Sequence, residues 1–297
     1  MSGARLDNGW RREHPLPGVA AVGGDKAARG RVLLAGGSTL SPGALRLGAE
    51  AVLRVGAGKV RIATVEPAAG LLGVHVPEAG VIGLPVDATG ELAAEAAEPL
   101  ADQVRQAEVL ALGPGMRTTD QLPGLVGSLL AAAGPEAAVL LDSAAMVALR
   151  DLDGEARALA GRLVLTPHPG ELAALLDVEE DAVLADMVGF ARRTAERFDA
   201  VVALKSAATV VAAPAGDLFR YENEACGLGT AGSGDVLAGM IAGLMARGAD
   251  PLTATGWGVW LHGEAGQAAA RTIGPVGFLA RDVLQHVPML MAGQSQR

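Results

Sequence analysis

Three lysines, one cysteine and very few aromatic rings mark this 297-residue chain by what it lacks. A lone Cys226 excludes an internal disulfide and any cysteine-based metal cluster. It fits a reducing compartment. Aromatic residues make up 3% of the chain, and 33 acidic residues face 24 basic ones, for a net charge of −9. With no basic stripe and little aromatic surface, no nucleic-acid partner is expected. The segment 1–15 is polar and charged and lacks the apolar core of a secretion signal. The longest strongly apolar run, residues 236–246, is too short to span a bilayer. These absences lead to an expectation of a cytoplasmic protein with no membrane partner.

What the chain has in quantity is small and apolar residues. Half of it is hydrophobic and 41 residues are glycine. This density suits close packing of helices on a sheet and many tight turns. Short apolar runs recur at 32–35, 60–65, 109–112, 138–141, 163–165 and 201–204. Helical patterns lie between most of them. Leu45, Gly48, Ala49, Val52, Leu53 and Gly56 share one helical face over 44–56, and segments 91–106 and 181–198 also read as helices. Continuous apolar strands alternating with helices predict an α/β fold, a mostly parallel sheet with helices on both faces. Residues 208–213 and 218–221 predict a hairpin around Pro214-Ala215-Gly216-Asp217, with a mainly helical remainder. No linker or repeat divides the chain. The expected organisation is an N-terminal extension, 1–29, and one domain, 30–290.

Unusual segments collect after the strands. They are Gly36-Gly37-Ser38, Gly113-Pro114-Gly115, Asp142-Ser143, Thr166-Pro167-His168-Pro169-Gly170-Glu171 and Lys205-Ser206. In open α/β sheets ligands bind beyond the carboxyl ends of strands, so these segments outline one crevice. A further segment, Gly227 to Gly248, runs from a glycine-rich turn through Gly232-Ser233-Gly234-Asp235 into an apolar helix. Free N–H groups and the helix dipole make such a turn an anion site. A carboxylate there repels the phosphate that the turn attracts. Its position makes sense if Asp235 takes a proton from a hydroxyl that attacks a phosphoryl group, while Gly232, Ser233 and Gly234 donate N–H groups to that phosphate. The plainer alternative is an aspartate capping a buried helix.

Other residues keep two readings each. His168, held between two prolines, suits either a substrate contact or a helix-entry turn with a partly buried imidazole. Glu171 suits either a first-turn carboxylate complementing the helix dipole or a water-mediated Mg²⁺ contact. Lys205, with Ser206 and Thr209 beside it, suits either nucleotide phosphates or a solvated strand end with little weight in folding. His262, in the apolar segment 257–270, reads as a hydrogen-bonded core histidine. His75 and Cys226 carry no assigned chemistry, although Cys226 directly precedes the glycine-rich turn. Gly239 and Gly243 read as helix-packing residues. No histidine and carboxylate set has zinc spacing, and no serine sits in a nucleophile elbow. Metal ligands stay unassigned.

The segments Thr166–Glu171, Gly113-Pro114-Gly115 and 229–239 together resemble the ADP-dependent (S)-NAD(P)H-hydrate dehydratase family of the ribokinase-like superfamily. Gly36-Gly37-Ser38 and Leu261-His262-Gly263 add to the likeness, which runs from about Gly30 to about Pro288. The resemblance implies a ribokinase-like fold and ADP-dependent dehydration of the S epimer of hydrated NADH or NADPH, giving NAD(P)H, AMP and phosphate. It implies hydrate contacts at Ala44, Gly115, His168 and Asp235. It implies AMP contacts at Lys205, Ser206, Ala207, Ala208, Thr209 and Gly234. Mg²⁺ and a homotetramer are implied as well. The chain departs from the family at Asp142-Ser143-Ala144-Ala145-Met146, where the usual Asp-Ala-Asp-Ala-Leu carries a second carboxylate. Lys205-Ser206-Ala207-Ala208-Thr209 replaces Lys-Gly-Ala-x-Thr, and Ala225-Cys226-Gly227-Leu228 replaces a turn of the Asn-Pro-Gly-Met kind. The epimerase domain that often accompanies this family is not expected ahead of Gly30. Two rivals stand beside it: a small-molecule kinase of the hydroxymethylpyrimidine or hydroxyethylthiazole type, and a degenerate nucleotide-binding regulator.

Overall fold

The computed structural model describes residues 4–17, 25–222 and 224–292. Ten strands form one sheet: β1 (Ala4–Arg5), β2 (Arg31–Ala35), β3 (Lys59–Val65), β4 (Gly80–Leu84), β5 (Val109–Leu112), β6 (Ala138–Leu141), β7 (Leu163–Leu165), β8 (Ala200–Leu204), β9 (Ala208–Ala212) and β10 (Leu218–Glu222). Their order across the sheet is β1-β10-β9-β8-β7-β6-β5-β2-β3-β4. β9 runs antiparallel to both its neighbours, and every other pairing is parallel. The expected mostly parallel sheet is therefore present, with the hairpin β9–β10 near one end, inside the short edge strand β1.

The parallel strands are continuous apolar runs because helices cover both faces. Leu34, Leu110, Leu112 and Leu140, on the adjacent strands β2, β5 and β6, are almost wholly buried. Each contributes about 1.5–3 kcal/mol relative to an exposed side chain.

The helix Gly43–Arg54 buries Leu45, Gly48, Ala49 and Val52, as its periodicity predicts. Gly56 falls just past its end with φ +94°, a turn conformation that glycine adopts freely. This helix packs against the helix Ser233–Ala246, which is apolar nearly all round. The two backbones approach so closely that a Cβ on Gly239 would lie 2.3 Å from the Gly48 carbonyl oxygen. One on Gly243 would lie 2.4 Å from Val55. Both glycines thus serve the packing role that their spacing suggests.

Three elements differ from the sequence-based expectation. β4 was not anticipated: Gly80-Val81-Ile82-Gly83-Leu84 has two glycines and weak alternation, and pairing with β3 makes it a strand. Segment 91–106 is not one helix, because Leu92 bridges to Val86 and the helical part is Ala94–Ala96 followed by Ala97–Val104. Segment 181–198 divides at Asp186, whose carboxylate accepts from the Gly189 N–H at 2.9 Å and starts a new helix, Met187–Phe198. Before residue 30, Ala4–Arg5 joins β10 and Trp10 is buried in the core.

Candidate active site

Because β2, β5, β6, β7 and β8 are parallel and adjacent, their carboxyl ends share one rim. The segments singled out in the sequence meet there. The Gly37 N–H donates to the Pro114 carbonyl at 2.8 Å, joining the loops after β2 and β5. Gly115, with φ +73°, sits against the start of the Gly43–Arg54 helix. A Cβ there would lie 2.6 Å from the Ser41 carbonyl oxygen and 2.9 Å from the Ala44 side chain. Ala44 and Gly115 are therefore neighbours. The Lys205 N–H donates to the Pro167 carbonyl at 2.7 Å, which ties the end of β8 to the turn after β7.

Two prolines and a capping box hold that turn. His168 is the N-cap of the helix Pro169–Leu176. Its backbone N–H donates to Glu171 Oε2 at 2.8 Å, and its Nδ1 accepts from the Glu171 N–H at 3.3 Å. The imidazole is exposed rather than partly buried. Glu171 fills the dipole-complementing position in the first turn.

The helix Ser233–Ala246 opens with Gly232 at φ +87° as its N-cap. Asp235 is therefore not the cap; it lies in the first turn, facing the crevice. The Ser233 N–H donates to the Thr230 carbonyl at 3.2 Å. Of the three expected anion donors, Ser233 thus has its N–H engaged inside the turn. Those of Gly232, Gly234 and Asp235 meet no backbone acceptor among the described residues. The Ser233 hydroxyl instead meets His262 Nε2 at 2.9 Å. Burial, with Lys205 adding to it, lowers the His262 imidazole to about 4, so it is neutral at pH 7. His262 is the hydrogen-bonded histidine that the sequence suggested, and it holds the first residue of the helix Ser233–Ala246.

At the centre lie one cation and three carboxylates. Lys205 Nζ is 3.1 Å from Asp142 Oδ1 and 3.7 Å from Glu171 Oε2. A Cβ on Gly234 would sit 3.3 Å from the same ammonium. The solvated strand-end lysine is thereby overturned: this side chain is only 20% exposed. Burial opposes its charge, but Asp142, Glu171 and Asp235 together hold its pKa above the ordinary lysine value. Asp142 also accepts from the Thr166 hydroxyl at 2.6 Å and the Ser143 hydroxyl at 3.2 Å. Burial alone would raise its carboxyl. Lys205 and these hydroxyls instead bring it below the usual carboxylate value.

Asp235 has the opposite fate. Burial raises its carboxyl first, Asp142 and Glu171 add to the rise, and Lys205 only partly offsets them, leaving it at about 7. A carboxylate poised near neutrality at the start of a helix is suited to exchanging a proton beside a bound anion.

Ser206 and Ala207 are exposed beyond Lys205, Ala208 begins β9 and Thr209 is buried in it. The Ser206 hydroxyl accepts from the Ala208 N–H at 3.1 Å and donates to its carbonyl at 2.9 Å, which shapes a compact turn. In the sequence, Asp142 and Thr166 carry no assigned role of their own. The available signal was their place at strand ends on the same rim. Ser143, with φ +52°, holds a backbone conformation uncommon for a non-glycine residue, directly beside Asp142. Ala144, where the resembling family has a second carboxylate, is a buried small side chain.

Among the described residues no group of three or more histidine, cysteine, aspartate or glutamate side chains could hold a metal ion. None of the described helices is long and apolar enough to cross a membrane. The central cation is the Lys205 ammonium.

A family model described as NAD(P)H-hydrate dehydratase matches residues 32–289. The chain is 42% identical to an ADP-dependent (S)-NAD(P)H-hydrate dehydratase from Xanthomonas campestris pv. campestris, over 94% of this chain and 93% of that protein. Its fold is similar to the ADP/ATP-dependent NAD(P)H-hydrate dehydratase of Bacillus subtilis co-crystallized with ATP/Mg²⁺, with TM-score 0.82, 26% identity and 99% of both chains covered. It is also similar to a ribokinase-like superfamily protein from Enterococcus faecalis V583, with TM-score 0.79, 27% identity, and coverage of 92% of this chain and 90% of that one.

Proposed function

The chain belongs to the NAD(P)H-hydrate dehydratase family, and on that premise we propose that its crevice carries out ADP-dependent dehydration of (S)-NAD(P)H hydrate with Asp235 as general base. The observation that carries the assignment is Asp235 itself: a carboxylate with a pKa near 7 at the donor-rich start of a helix.

Asp235 takes the proton of the hydroxyl on the hydrated nicotinamide ring. The oxygen attacks the β-phosphorus of ADP, and AMP leaves. The ring phosphate is then a far better leaving group than hydroxide. Its carbon–oxygen bond breaks, a ring proton is lost and the double bond returns. The products are NAD(P)H, AMP and phosphate, so a damaged cofactor is restored.

The N–H groups of Gly232, Gly234 and Asp235 stabilise charge on the transferred phosphoryl. Ala44, Gly115 and His168 line the hydrate side. Lys205, the 206–209 turn and Gly234 form the nucleotide side, with the ammonium facing phosphate. Mg²⁺, carried by the nucleotide, supplies charge neutralisation on the phosphates. A cytoplasmic location, on the composition, and a homotetramer, on family resemblance alone, complete the proposal. Light scattering after gel filtration tests the tetramer.

The decisive experiment supplies purified protein with (S)-NADH hydrate and follows NADH absorbance, with ADP and ATP in parallel. ADP-dependent NADH formation with AMP and phosphate is expected. A stable phosphorylated alcohol in place of NADH would make the protein a small-molecule kinase. Nucleotide binding with no turnover would make it a regulator.

A further inference from the structure

Glu91 is a carboxylate only 2% exposed, and the chemistry above does not use it. It is clamped to Arg117. The Arg117 backbone N–H donates to Glu91 Oε2 at 3.1 Å, and the guanidinium Nε donates to Oε1 at 2.7 Å. The same guanidinium reaches the Thr89 carbonyl at 2.8 Å. Glu91 closes a tight turn. The Asp87 N–H donates to the Glu91 carbonyl at 2.9 Å, and the Gly90 N–H donates to the Asp87 carbonyl at 3.1 Å. Asp87 Oδ1 accepts from the Thr89 and Glu91 N–H groups at 2.8 and 3.1 Å.

This one turn holds two loops. Arg117 lies in the loop after β5, two residues beyond Gly115. The Thr39 N–H, in the loop after β2, donates to the Gly90 carbonyl at 2.9 Å. Those loops also touch one another, through Gly37 and Pro114 and through Gly115 against Ser41 and Ala44. Among the described residues, no hydrogen bond runs from the turn to the 205–209 segment or to Asp235.

We infer that Glu91 is a positioning residue for the hydrate pocket, locking the loop that bears Gly115 in register with the loop that leads into the helix bearing Ala44, while leaving the nucleotide side untouched. The inference rests on the proposed function, which assigns those loops to the hydrate. Removing the carboxylate leaves the Arg117 amide without its acceptor, and the loop that carries Gly115 relaxes. Small misplacements of substrate-holding groups are costly to turnover.

The test compares wild type, Glu91→Ala, Glu91→Gln and Arg117→Met, measuring KM for (S)-NADH hydrate, AMP affinity by calorimetry, and Tm. Glu91→Ala is expected to raise the hydrate KM by about tenfold or more, with AMP affinity within about twofold of wild type. Glu91→Gln, which keeps an acceptor for the Arg117 amide, should recover much of the loss. Arg117→Met should fall between the two and stands in for Glu91→Ala if that variant does not fold. Equal loss of hydrate and AMP affinity, or a lower Tm with an unchanged hydrate KM, overturns the inference. A wild-type protein inactive on the hydrate overturns the reading beneath it, and the inference with it.

Discussion

The ammonium of Lys205 lies 3.1 Å from the carboxylate of Asp142, which is almost fully withdrawn from water. Strands β6 and β8 bring the two together across β7. The pair sets the electrostatics of the crevice: Asp142 stays ionised, and its charge helps keep Asp235 protonated up to about pH 7.

Lys205→Ala should therefore be destabilising. A solvated lysine would cost about 0–1 kcal/mol. Breaking a buried pair leaves a charge unpaired and costs about 3–5 kcal/mol, and partial exposure of this lysine points to the lower end of that range. Urea denaturation measures the loss. Adding Asp142→Asn to the same chain should recover part of it. An unchanged midpoint for Lys205→Ala would refute the structural weight of the pair.

The same variant should move catalysis along the pH axis. Lys205 lowers the Asp235 carboxyl, so its removal lets that pKa rise above about 7. The wild-type rate should climb with pH through neutrality as Asp235 loses its proton. In Lys205→Ala this limb should shift to higher pH. A profile that stays in place would separate Lys205 from the base.

Asp235→Asn should lower turnover by about 10²-fold or more, the usual scale for a general base, with nucleotide affinity largely kept. Its effect on stability has a definite sign. The folded-state pKa of Asp235 lies above the unfolded value, so the folded protein binds more protons between about pH 4 and 7 and loses stability as pH rises through that window. The asparagine variant should thus melt higher than wild type at pH 8, with the gain shrinking toward pH 5. Near wild-type turnover would remove the base assignment.

His168→Ala should weaken hydrate binding more than ADP binding. It also removes one half of a capping box, at a cost of about 0.5–2 kcal/mol. Separate titrations of hydrate and ADP, with a melting curve, resolve the two effects. Loss of ADP affinity with intact hydrate binding would place His168 on the nucleotide side.

Gly239→Ala adds a methyl group where the Gly48 carbonyl oxygen lies 2.3 Å away. Better helix propensity contributes about 1 kcal/mol, but separating two packed helices costs about 1–3 kcal/mol or more. A net loss of stability is expected in chemical denaturation, and a gain would mean the helices can part freely.

The sequence by itself determined the parallel α/β layout, because continuous apolar runs between amphipathic helices need a sheet covered on both faces. It also located the rim of polar and glycine-rich segments and singled out Asp235, since a carboxylate in an anion-binding turn stands out in a linear string. Tertiary structure decided what depends on neighbours distant in the chain. β4 exists because β3 offers a partner. Lys205 is a half-buried counter-ion because β6 places Asp142 beside it. Glu91 became a clamp because a turn 26 residues away in sequence folds back onto Arg117. The pKa of Asp235 follows the same logic: burial and two remote carboxylates raise it, and neither can be read from the residues on either side of it.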